Sequence, residues 1–300
     1  MQNRTLLLFL LLASLLSACQ KEIEVQLPNY NKKLVIEGYI ENGEYPMVIL
    51  TRSIANFNNF TIDTFLQKVL VQDAKVYVYS SKGEEELLTF QLDARSPLGF
   101  AYVGKTFKGA VGTNYRLEIE WQDNIYKAQT SILEPFSLDS IRLNTRGIEF
   151  DSNATLRVFF TDDKNKNDYY QFFVKVNAKR LRDRYWVTTI PVAFDDIPFN
   201  GLPFNLDIFR ANPSQFLVME MSQEEKAEYY SMTFKPGDTI LLKYAKIDYP
   251  SYQYWSSASS EISFGQNPFM SPTPIRSNIE GKDVLGVWCG YAMKIDTIYY

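Results

Sequence analysis

The chain predicts a mainly β protein of two antiparallel β-sandwich-like domains, the second carrying one or two short helices. Three observations predict it: apolar and polar residues alternate with a period of two through most of the chain after residue 33; glycine-containing turn signals separate the alternating runs; and strands and helices do not succeed each other regularly. A period of two sends successive side chains to opposite faces of a pleated strand, so one face packs while the other meets water.

In chain order the runs begin with "KLVIEGYI", "PMVILTRS" and "AKVYVYS". In "TNYRLEIEW", Tyr115, Leu117, Ile119 and Trp121 fall on one face and Arg116, Glu118 and Glu120 on the other. Later runs are "LRVFFTD", "YYQFFVKV" and "DTILLKYAKI", with turns expected at Asn42-Gly43, Lys82-Gly83, Asn200-Gly201 and Pro236-Gly237. The strands between Lys33 and Leu133 are enough for a sandwich of about 100 residues. Residues 34–134 are therefore expected to form an N-terminal sandwich of immunoglobulin or transthyretin type that folds alone, with the boundary at Glu134-Pro135 and a C-terminal β domain over 135–300.

Two stretches break the rhythm. "SQEEKAEYYSM" opens with the capping residue Ser222 and carries Glu224 and Glu225 in its first turn, the pattern of a short helix. "YPSYQYWSSASSEISFG" places Tyr252, Trp255, Ala258 and Ile262 at helical spacing before Gly265, so a helix is expected near 250–264 with this stripe packed against the body.

Composition excludes several classes. Of 300 residues, 46% are hydrophobic and 15% aromatic, which is the composition of a folding chain. A net charge of −4 without a run of basic residues gives no electrostatic footprint for nucleic acid, which is not an expected partner. Histidine is absent, which removes the commonest general base, the commonest zinc ligand and every Ser-His or Cys-His nucleophile pair. No glycine-rich phosphate loop occurs, and no cofactor or metal is expected.

The N-terminus carries an address. Arg4, the apolar run Leu6 to Leu16 and the small pair Ser17-Ala18 have the layout of a signal peptide over residues 1–18, shorter than the roughly 18 or more apolar residues of a membrane span. Leu16-Ser17-Ala18-Cys19 resembles the bacterial lipobox, which makes Cys19 the expected lipidation site and the membrane a partner through that anchor, with 19–33 as a tether. Gln20-Lys21-Glu22-Ile23-Glu24 resembles the export signal of surface-exposed lipoproteins of the Bacteroidota. The expected location is the outer membrane, on the cell surface, with the periplasmic face as the alternative. The other cysteine, Cys289, lies in the apolar stretch "VLGVWCGYAM" and is expected to be a buried, inert thiol.

Polar clusters give little catalytic equipment. "TDDKNKNDYY" offers Asp162, Asp163, Asn165, Asn167 and Asp168, but a helix-loop-helix calcium site would need glycine where Asp168 stands and glutamate where Val174 stands; a hairpin connection is expected instead. Asp195 and Asp196 are neighbours on a strand and point to opposite faces, unsuited to a catalytic carboxylate pair. The serines from Ser256 to Ser260 lack an activating base and are expected to form a small-residue helix surface.

The C-terminal third resembles domain-of-unknown-function family 4249 of the Bacteroidota through Gly237-Asp238, Tyr252-Tyr254-Trp255, Asn267-Pro268-Phe269 and Asn278-Ile279-x-Gly281, with "LVIEGYIENG" resembling the family's first strand. The chain departs from the family at "GKDVLGVW", where a glycine-rich turn and Phe are commoner. The resemblance implies a sandwich-like β architecture and an outer-membrane setting beside TonB-dependent transporters, and it lends no catalytic residues. The resulting expectation is a lipid-anchored, non-enzymatic binding or accessory protein associated with a TonB-dependent transporter in nutrient uptake, its ligand unknown. The alternatives are a structural envelope-assembly or adhesion lipoprotein and a carboxylate-based glycan hydrolase, which would need facing carboxyls roughly 5–10 Å apart.

Overall fold

Alternation becomes strand wherever it was expected. The computed structural model describes residues 32–53, 67–145, 153–176, 186–210, 222, 232–264 and 274–300. The expected signal peptide, Cys19, most of the tether, Asn267-Pro268-Phe269 and nearly all of the helix expected after Ser222 lie outside these residues.

The first sheet has the order β15-β1-β2-β6-β5, formed by β1 (Leu34–Glu41), β2 (Met47–Arg52), β5 (Thr89–Leu92), β6 (Phe100–Val103) and β15 (Val284–Tyr291). The second, β4-β3-β7-β8, comprises β3 (Lys75–Ser80), β4 (Glu85–Leu87), β7 (Asn114–Trp121) and β8 (Asn124–Ser131). Ile36, Ile40, Val48 and Leu50 of the first sheet share one core with Val76, Val78, Leu117 and Ile119 of the second, which makes a sandwich. Gly43 and Gly83 take φ of 82° and 88°, the left-handed geometry for which glycine is needed in these turns.

The sheet crosses the boundary expected at Glu134-Pro135. β15 runs parallel to β1, from Leu34 opposite Val284 to Glu41 opposite Tyr291. Its Trp288 is fully buried in the first core and donates from Nε1 to the Tyr115 carbonyl at 3.3 Å. Residues Lys32–Tyr300 accordingly make one compact unit.

The third sheet has seven strands in the order β16-β14-β11-β12-β13-β10-β9. They are β9 (Ser140–Asn144), β10 (Thr155–Thr161), β11 (Tyr169–Val176), β12 (Val187–Asp195), β13 (Pro203–Arg210), β14 (Thr239–Ile247) and β16 (Lys294–Tyr299). Side chains from all seven strands, among them Ile141, Val158, Phe172, Phe194, Ile208, Leu242 and Ile298, meet in one aromatic-rich core, so the sheet curls around it. The "TDDKNKNDYY" connection is not the expected hairpin: β10 and β11 are separated in the sheet by β12 and β13, and the loop crosses between them.

The helix expected near 250–264 is α1 (Tyr249–Phe264). Asp248 caps it, its Oδ1 accepting the Ser251 N–H at 2.9 Å, and its Oδ2 accepts the Thr130 hydroxyl at 2.7 Å. Thr130 Oγ1 in turn accepts the Gly290 N–H at 2.8 Å, so one short chain of bonds joins β8, β15 and the helix start. Of the expected stripe, Tyr252, Trp255 and Ala258 pack, whereas Ile262 is 80% exposed. Among the described residues no helix is long and apolar enough to cross a membrane.

Candidate functional site

The face of β1 that turns away from the sandwich core carries Glu37, Tyr39 and Glu41 at alternate positions. Strand register fixes their neighbours. Glu37 lies between Val287 of β15 and Ile49 of β2, Tyr39 between Cys289 and Met47, and Glu41 beside Tyr291. Facing them is the outer side of the third sheet, with Lys243 on β14, Phe173 and Lys175 on β11 and Thr188 on β12, while Trp255 comes from α1. These walls enclose a half-open cleft of about 420 Å³.

Three contacts hold the walls at this distance. Lys243 Nζ meets Glu41 Oε1 at 2.5 Å, with the same ammonium 5.3 Å from the Trp186 ring centre. Tyr291 sets its ring edge-on to Phe173 at 5.9 Å between centroids, and its hydroxyl donates to Gln171 Oε1 at 2.9 Å. The helix is fastened by Tyr252, which stacks on Tyr169 at 4.7 Å and donates to Asp195 Oδ2 at 2.7 Å.

Charge inside the cleft is mostly internally paired. Lys243 is matched by Glu41, and Arg95 by Asp93, at 2.8 Å, with Glu44 at 4.0 Å on its other side. The hydrogen bonds from Arg95 hold the Asp93 carboxyl below the usual carboxylate range. Glu37 differs. Its side chain is exposed where it lines the cleft, with aliphatic residues as both cross-strand neighbours and no hydrogen bond or ion pair among the described residues. Desolvation holds it above the ordinary carboxylate value of 4.5. Its charge, with burial as the larger cause, helps to raise the phenol of Tyr254 on the helix.

The polar clusters singled out in the sequence lie elsewhere and have structural partners. Asp162 accepts the Tyr170 hydroxyl and the Gly201 N–H, and Asp168 pairs with Lys246. Asp195 receives Tyr252, whereas Asp196 accepts the Asp168 N–H at 2.8 Å, so the two adjacent aspartates do serve different neighbours. Ser257 is packed rather than a bare helix surface: it donates to the Gln253 carbonyl and accepts the Arg276 N–H. Among the described residues no group of three Asp, Glu or Cys side chains is placed to hold a metal ion. Cys289 is buried under the cleft floor, where desolvation raises its thiol far above the usual range.

The C-terminal motif residues frame the same region. Asn278 pairs its amide with both backbone groups of Trp288, at 2.9 Å and 2.8 Å, as a neighbouring strand would. Ile279 is buried in the first core, and Gly281 at φ 148° lies against the Tyr126 ring, where a Cβ would come within 2.5 Å. The motif thus locks β15 onto the sandwich, and β15 carries the cleft residues Val287 and Tyr291. A family model described as Domain of unknown function (DUF4249) matches residues 20–294. No curated protein matches the chain.

Proposed function

The chain belongs to the DUF4249 family, and we propose that it is a lipid-anchored ligand-binding protein of the outer membrane that presents a small ligand to a TonB-dependent transporter. The observation that carries the reading is the cleft between β1, β11, β14 and α1: concave, walled by Tyr39, Phe173, Trp186, Trp255 and Tyr291, and furnished with a few placed charges. A pocket of this size with an aromatic lining and few polar groups has the character of a small-molecule site. The lipobox-like "LSAC" supports the anchor, and an anchor raises the effective concentration of the protein at the membrane without a large interface.

The geometry of the cleft favours binding over hydrolysis. Glu37 and Glu41 share a face of β1 with Tyr39 standing between them. Glu41 is also committed to Lys243.

Crosslinking in intact cells with the anchored, tagged chain tests the partner. A β-barrel transporter as the leading product is the expected result, and recovery of only periplasmic or peptidoglycan-linked proteins would refute it. Globomycin-sensitive processing and loss of membrane retention in Cys19→Ala test the anchor.

A further inference from the structure

Two of the charges that line the cleft have no partner of opposite sign among the described residues, one negative and one positive. Lys243 belongs to Glu41, and Arg95 to Asp93 and Glu44. Glu37 on β1 and Lys175 on the facing β11 have no ion pair or hydrogen bond among the described residues. Flanked by the aliphatic Val287 and Ile49, this exposed carboxylate has no cation among the described residues beside it. A ligand cation would supply that partner, and the seated ligand would displace water from around the pair and so strengthen it. Aromatic rings nearby suit the same group: Tyr39 follows Glu37 on one face of the strand, Trp255 lines the same cleft, and ammonium groups are attracted to ring faces.

Resting on the ligand-binding reading above, we propose that the cleft takes a zwitterionic ligand of the short-peptide class, its ammonium on Glu37 and its carboxylate reaching Lys175. The uncharged body of such a ligand lies along Phe173 and Trp255, and the cleft's 420 Å³ accommodates a ligand of a few residues. Peptides combine separated terminal charges with an adaptable middle, matching one negative and one positive anchor on opposite walls.

Isothermal titration of the full chain in detergent with trialanine, N-acetyl-trialanine, trialanine amide and maltotriose tests this. Trialanine is expected to bind, and N-acetylation, which removes only the ammonium, to weaken it at least tenfold. Glu37→Gln should weaken trialanine tenfold and leave the N-acetylated peptide unchanged, and Lys175→Ala should weaken trialanine but not its amide. Equal binding of trialanine and N-acetyl-trialanine would overturn the proposal. Binding of maltotriose without trialanine would overturn it too while leaving the cleft as a ligand site. No heat from any of the four would count against both this inference and the ligand-binding reading.

Discussion

Lys243 Nζ lies 2.5 Å from Glu41 Oε1, joining the first strand of the chain to one 202 positions later and spanning the floor of the cleft. Both side chains are largely buried, at 10% and 17% exposure, so the pair is worth most as a unit. Removing one member strands the other in a poorly hydrated place, whereas removing both leaves an apolar contact. Lys243→Met is expected to lower stability by about 3 kcal/mol, and Glu41→Met/Lys243→Met to recover most of that loss. Chemical denaturation of the two single variants and the double variant measures the coupling, and additive losses would contradict it.

Gly286 faces Ile36 across the parallel β1–β15 pair at φ 150°, where a Cβ would come within 1.9 Å of the Ile36 carbonyl oxygen. The obstacle is backbone and cannot swing aside. Gly286→Ala should therefore cost about 4 kcal/mol or more, at the extreme of single substitutions. The same strand explains what a fragment of residues 34–134 lacks: it has no β15 to cover β1 and no Trp288 to fill the first core. That fragment is expected to show no cooperative thermal transition by circular dichroism, and Trp288→Ala in the full chain to cost about 3–5 kcal/mol.

The period of two made the strands legible because each face of "TNYRLEIEW" or "KLVIEGYI" meets a different medium, and the turns were legible because Asn42-Gly43 and Lys82-Gly83 require left-handed backbone. What local pattern could not contain is which strand lies beside which. The partner of β1 comes from residues 284–291, a non-local choice decided by core filling and by the amide of Asn278 standing in for a strand. The cleft was hidden for the same reason. Its one sequence trace is a charged residue inside a run apolar in both phases: Lys243 in "TILLKYAKI" has to be paired, since both faces of its strand are covered.

High pH should unfold the protein through its phenols. Burial pushes Tyr102 up to about 12, and burial followed by the hydrogen bond to Asp195 pushes Tyr252 up to about 12, against 10 for a free phenol. A raised folded value means that the folded state keeps the proton longer. The resulting stabilisation is complete below pH 10 and is lost as pH rises from 10 toward 12. For the buried Tyr102, which donates to the Val71 carbonyl and accepts the Ala74 N–H, the loss is on the order of 2–3 kcal/mol. Urea midpoints measured from pH 9 to 12 should fall, and Tyr102→Phe should start lower and fall less steeply.

Glu37 gives the opposite lesson at the acid end. Desolvation raises its carboxyl above 4.5, so the folded state favours the protonated form and ionisation works against folding. Its contribution is fully favourable below the unfolded carboxylate value and is lost as pH rises through the folded one. Glu37→Gln, which keeps the shape and removes the charge, should therefore melt higher than the parent at pH 7, and the two should converge when the pH is brought below 4.5. Thermal melts of both proteins at pH 7 and pH 4 check the sign. A Glu37→Gln protein less stable than the parent at pH 7 would mean that the carboxylate has a cationic partner within the chain, and the cleft would then hold no unpaired negative charge for a ligand to meet.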